Sequence, residues 1–139
     1  MSTQTSLVTG VDFIGIPVTD YDAAAEFYGG VLGLPFVKRW GNMPAGEFQA
    51  GNLTLALVQP DAFGQEFRPS TTWLALQVED VAQARSALEA EGVEFRGDPM
   101  DSGVCHMAFF EDPWGNPVIL HHRYAPKDAV PPAGSPAAA

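Results

Sequence analysis

Cys105 and His121 are the side chains of this 139-residue chain best suited to covalent or proton-transfer chemistry. Cys105 is the only cysteine. A thiol beside an imidazole ionises more readily and becomes a nucleophile. His121 could be that imidazole, or could act alone as a general acid or base, because histidine titrates near neutral pH. The plainer reading of Cys105 is a small buried hydrophobe. His121-His122 makes a poor metal clip on a strand, where adjacent side chains point to opposite faces. Glu47 and Gln49 share one face of a strand candidate, where they could serve a site or simply meet solvent. Lys38-Arg39, the only adjacent pair of strong bases, could hold an anion or stay solvated.

Composition narrows what these groups could serve. Hydrophobic content of 46% with 17% charged residues fits a soluble globular chain. The formal net charge is -10. That balance argues against a nucleic-acid surface, which needs clustered Lys and Arg, and against an anionic membrane face. No apolar run is long enough to span a bilayer. Met1 to Thr9 lacks a signal-peptide pattern, and a lone cysteine forms no internal disulfide, so a cytoplasmic location is expected. Residues 1–10 and the Pro/Ala-rich residues 125–139 have too little apolar content to offset ordering entropy. One folded domain over 11–124 is expected.

The elements that must position the candidate residues come in two copies. Val11-Asp12-Phe13-Ile14-Gly15-Ile16-Pro17-Val18-Thr19-Asp20 is an apolar run ending in Asp. Thr71-Thr72-Trp73-Leu74-Ala75-Leu76-Gln77-Val78-Glu79-Asp80 repeats that form sixty positions later. Each Asp suits a helix N-cap. A helix with Ala24, Phe27, Val31 and Leu32 on one face follows the first, and one with Val81, Ala84, Ala87 and Leu88 follows the second. Gly33 and Gly92 sit where the helices stop. Gly29 and Gly30 weaken the last turn of the first helix. Three strand candidates follow each helix: Phe36 to Trp40, Glu47 to Ala50 and Leu53 to Val58, then Val93 to Arg96, Val104 to Phe110 and Pro117 to Arg123. The expected architecture is therefore α+β, with tandem βαβββ modules over about 11–58 and 71–124.

The last two strands flank Asp112-Pro113-Trp114-Gly115, with Asp, Pro and Gly at the corners a type I turn favours. Together with Asn116 this resembles the Asp-Pro-x-Gly-Asn hairpin of the vicinal oxygen chelate superfamily, which holds glyoxalase I, bleomycin-resistance proteins and extradiol dioxygenases. The doubled βαβββ pattern is similar to that fold as well. The resemblance implies a curved mixed sheet around a concave cup, which in some relatives is built across a homodimer.

The resemblance also implies which residues line the cup. Strand alternation sends Phe13, Gly15 and Pro17, then Thr54, Ala56 and Val58, then Trp73, Ala75 and Gln77 to one face. The family hairpin adds Cys105, Met107, Phe109, Ile119 and His121. In metal-dependent relatives four cup positions carry His, Glu or Gln. Here they correspond to Phe13, Ala56, Trp73 and Ile119, none of which can ligate a divalent ion. No metal or other cofactor is expected. The expected ligand set is Phe13, Thr54, Ala56, Trp73, Gln77, Met107, Phe109, Ile119 and His121, a mainly apolar wall suited to a small organic molecule. The same residues could instead fill the cup as core. The alternative function is a metal-free isomerase or lyase in which His121 moves a proton, with Cys105 as a possible nucleophile.

Overall fold

The computed structural model describes residues 6–126. The stretches 1–5 and 127–139, which hold most of the two terminal segments expected to lack packed structure, lie outside the described residues. Strands β1 (Ile14–Pro17), β2 (Phe36–Arg39), β3 (Ala45–Ala50) and β4 (Leu53–Val58) form a sheet in the order β1-β4-β3-β2. Strands β5 (Leu74–Gln77), β6 (Phe95–Asp101), β7 (Cys105–Glu111) and β8 (Pro117–Arg123) repeat it as β5-β8-β7-β6. In both sheets the first strand runs parallel to the last and the remaining pairs are antiparallel. The tandem βαβββ reading of the sequence therefore holds.

Helix α1 (Tyr21–Ala25) starts at Asp20, whose Oδ1 accepts the Ala23 N–H at 3.1 Å, and α2 (Val81–Ala90) starts at Asp80, whose Oδ1 accepts from Gln83 at 3.0 Å. Each carboxylate satisfies an orphan donor of the first turn. Beyond Ala25 the first helix widens into a π-helix over Glu26–Val31. The weak last turn expected from Gly29 and Gly30 takes this form. The absence of a side chain at Gly29 has a packing reason, since a Cβ there would lie 2.8 Å from Phe48 Cε2.

Alternation along the strands produces one core per module. Ile16, Val18, Leu55 and Leu57 bury against Tyr21, Ala24 and Tyr28 of the first helix. Leu120, Val118, Ala108 and Phe110 bury against Val81 and Leu88 of α2. Two details differ from the expected pattern. Ala87 is exposed, and the half-buried Arg85 instead lays its guanidinium 4.9 Å from the centre of the Phe95 ring. The β6 strand, expected to end at Arg96, also runs through Gly97-Asp98-Pro99, residue types that favour turns. It does so with a register shift between Arg96 and Met100, where Gly97 takes φ +66°.

Candidate functional site: the inner faces of the two sheets

The modules meet through their helix sides. Phe27 and Leu32 of the first helical segment touch both cores, and Leu74 of β5 packs into the core of the first module. The turn chemistry of the hairpin supplies the polar part of this joint. Gly115 N–H donates to the Asp112 carbonyl at 3.0 Å, closing the turn. Asp112 is buried, and its Oδ1 accepts from the backbone N–H groups of Trp114 and Asn116 at 3.0 and 2.8 Å. Its Oδ2 accepts from the Asn116 amide at 2.8 Å and from the Tyr28 hydroxyl of the other module at 2.7 Å. Asn116 then donates to the Pro17 carbonyl at 2.7 Å and accepts from Ser70 N–H at 2.7 Å. Burial, followed by the nearby Asp112 charge, pushes the Tyr28 phenol far above its ordinary value of 10.0, so it remains a donor. Sequence reasoning found this turn and missed Tyr28 as its partner, because nothing local pairs residues 84 positions apart.

With the helix sides joined, the opposite faces of both sheets are left open. On the first sheet the register places Gly15 beside Ala56, Pro17 beside Val58, Glu47 beside Ala56 and Gln49 beside Thr54. Thr54 Oγ1 donates to Gln49 Oε1 at 2.7 Å, so these two polar groups satisfy each other. Trp40 extends over this face, donating its indole N–H to Glu47 Oε2 at 2.7 Å and meeting Phe13 edge to face at 5.4 Å. Ala56 is fully buried, whereas Phe13 is 44% exposed. A cavity of about 410 Å³ opens beside Trp40, lined by Gly15, Pro17, Val58 and Phe63 among others, and its lining comes from the first module and the linker alone. Lys38 shares this face through its register with Glu47. Arg39 does not. It lies on the helix side, 4.9 Å from the centre of the Tyr21 ring and 3.7 Å from Asp22, so the two bases cannot act together on one anion.

On the second sheet the register sets Ala75 beside Ile119, Gln77 beside His121, Phe109 beside Ile119 and Met107 beside His121. Trp73 meets Phe109 edge to face at 5.5 Å and is 46% exposed. The expected partition of β7 and β8 is the observed one, since Ala108, Phe110 and Leu120 are core on the other face. His121 is half-buried. Desolvation, followed by the charges of Arg123 and His122, holds its pKa below the ordinary imidazole value of 6.5. The shift favours the neutral ring, in which one nitrogen accepts a hydrogen bond or a proton. Cys105 is buried and lies across from Arg123, whose Nη1 donates to Sγ at 3.6 Å. His121 stands diagonally from Cys105, one register pair away, and no hydrogen bond joins the two.

Two βαβββ modules joined back to back, each presenting an open inner wall, define the vicinal oxygen chelate fold class. The model of the Glyoxalase/Bleomycin resistance protein/Dioxygenase superfamily matches residues 10–120, and the chain belongs to that superfamily. No curated protein matches it by sequence. Among solved structures, a superfamily member from Sphaerobacter thermophilus superposes with TM-score 0.73 at 25% identity, covering 85% of this chain and 100% of that one. The antibiotic binding protein TnmS3 from Streptomyces sp. CB03234 gives TM-score 0.71 at 24% identity, covering 86% and 99%. Lactoylglutathione lyase from Agrobacterium tumefaciens gives 0.68 at 19%, covering 84% and 96%. The residues that the resemblance sets at the family's four ligand positions, Phe13, Ala56, Trp73 and Ile119, do not fit a divalent ion, because none has a side-chain donor suited to one. Among the described residues no group of three or more His, Cys, Asp or Glu side chains comes together as a metal cluster elsewhere. No helix of the described residues is long and apolar enough to cross a membrane.

Proposed function

We propose that this protein binds a small, largely apolar or aromatic organic molecule on its inner walls without a metal. The observation that carries the reading is the chemistry of the walls: Phe13, Trp73 and Ile119 stand where the resemblance puts the chelating atoms of relatives, and Trp40, Phe109 and Met107 extend the same flat or adaptable apolar surface. Each aromatic pair stays within its own module, Phe13 on Trp40 and Trp73 on Phe109. The half-exposure of Phe13 and Trp73 favours a homodimer in which the first wall of one copy faces the second wall of the other. The free edges of β1 and β5 favour it too. The description of TnmS3 as an antibiotic binding protein agrees with this reading.

Metal analysis of the purified protein and titration with planar aromatic compounds test the proposal together. Substoichiometric metal with saturable binding supports it. Stoichiometric zinc, nickel, iron or manganese, lost on chelation together with ligand binding, overturns it. The neutral imidazole of His121, facing Gln77 and Met107 on the second wall, favours one second reading, a metal-free isomerase or lyase. In that case His121→Ala leaves affinity unchanged and abolishes turnover, whereas a carrier shows no turnover in either form.

A further inference from the structure

The first wall carries one carboxylate whose hydrogen bonding is incomplete. Glu47 projects from the inner strand β3, half-buried, in register with Ala56 on one side and Lys38 on the other. Its Oε2 accepts the Trp40 indole N–H at 2.7 Å, and among the described residues it has no other hydrogen bond and no ion pair. The Lys38 ammonium shares the face without closing a salt bridge to it. The neighbouring polar side chains are already occupied, Thr54 with Gln49 and Gln49 with the Gly51 carbonyl at 2.9 Å. The indole that holds Glu47 also forms a wall of the 410 Å³ cavity with Phe63, Val58 and Pro17. An apolar body seated against Trp40 therefore has a fixed, partly desolvated acceptor at the N–H edge of the same ring.

Resting on the reading of the inner wall as a ligand site, we propose that Glu47 determines specificity by receiving the polar end of the guest. The guest class is a flat, apolar molecule bearing a nitrogen hydrogen-bond donor, such as a protonated ring amine. A half-buried carboxylate with a free oxygen favours a donor because the pair is charge-assisted. It disfavours a guest carboxylate through like-charge repulsion and desolvation. Trp40 is a positioning residue in this arrangement, since its indole fixes the rotamer of Glu47.

The test uses the full chain at physiological ionic strength with two planar probes of similar size, 9-aminoacridine and anthracene-9-carboxylate, followed by calorimetry and tryptophan quenching. The expected result is that 9-aminoacridine binds and that Glu47→Gln weakens it by about tenfold or more, while any binding of the carboxylate changes by less than about twofold. Trp40→Phe, which keeps a ring and removes the N–H, gives an intermediate loss. Thermal melts of both variants establish that they are folded. Equal affinity of wild type and Glu47→Gln for 9-aminoacridine, in a protein whose Phe63→Ala variant loses that binding, overturns the role of Glu47 and leaves the ligand site standing. Failure of both probes to bind the wild type overturns both readings.

Discussion

The residues closest to solution chemistry and those closest to stability are different residues. His121 lies on the open second wall with its pKa held down by desolvation and by neighbouring positive charge. Its proton NMR titration is expected to have a midpoint below 6.5. A lowered histidine pKa means the unfolded chain binds more protons in that window, so this contribution to stability is full above pH 6.5 and declines as pH falls through the folded value. Tyr28 behaves oppositely. Its contribution is full below pH 10.0 and is lost progressively as pH rises above it, because the unfolded chain releases the phenol proton first. Tyr28→Phe should lower unfolding free energy by about 1.5–3 kcal/mol in urea titrations near neutral pH, the range for a hydrogen bond to a charged acceptor. The same variant should flatten the alkaline fall. His121 was visible in the sequence as a candidate because histidine is recognisable anywhere. Tyr28 was not, because its role depends on an acidic turn from the other module.

At the level of elements, strand alternation and the aspartate caps were legible because they are local and periodic. Alternation gave the inner and outer faces of β4 and β5, and the family resemblance those of β7 and β8, as the structure has them. The π-helical widening after Ala25 and the interrupted β6 were not legible, since both depend on what packs against them. Gly29 and Gly15 separate the two kinds of glycine. Gly29→Ala pushes a Cβ into Phe48 and should cost about 1–3 kcal/mol in thermal or urea unfolding, the usual penalty for overpacking. A Cβ at Gly15 meets nothing within 4 Å, so Gly15→Ala should leave stability unchanged or slightly raised. Because Gly15 lines the cavity beside Trp40, that substitution should register in ligand binding alone.

For the whole molecule, the arrangement of modules decides where a guest could sit. The helix-side joint leaves Trp73 and Phe13 about half in water, an arrangement expected to be covered by a second copy. Light scattering should report twice the mass of the chain at micromolar concentration. Trp73→Asp should shift the population to single chains while leaving circular dichroism unchanged, because Trp73 belongs to neither core. A single-chain mass for the wild type at all concentrations would remove the two-copy enclosure. The sequence could not decide between one-chain and two-chain cups, since both use the same wall residues. The contacts of Phe27 and Leu32 with both cores, and the pairing of Tyr28 with Asp112 and of Asn116 with Pro17, show which faces the modules turn towards each other.

The clasp at Asp112 and Asn116 holds the halves together using Tyr28, main-chain carbonyls and amides, and no aromatic group from the open walls. Cohesion and the proposed taste thus draw on different side chains, with Pro17 giving only its carbonyl to the clasp. If the walls hold a guest as proposed, substitutions there change which compounds are accepted while the joint between the modules stays intact.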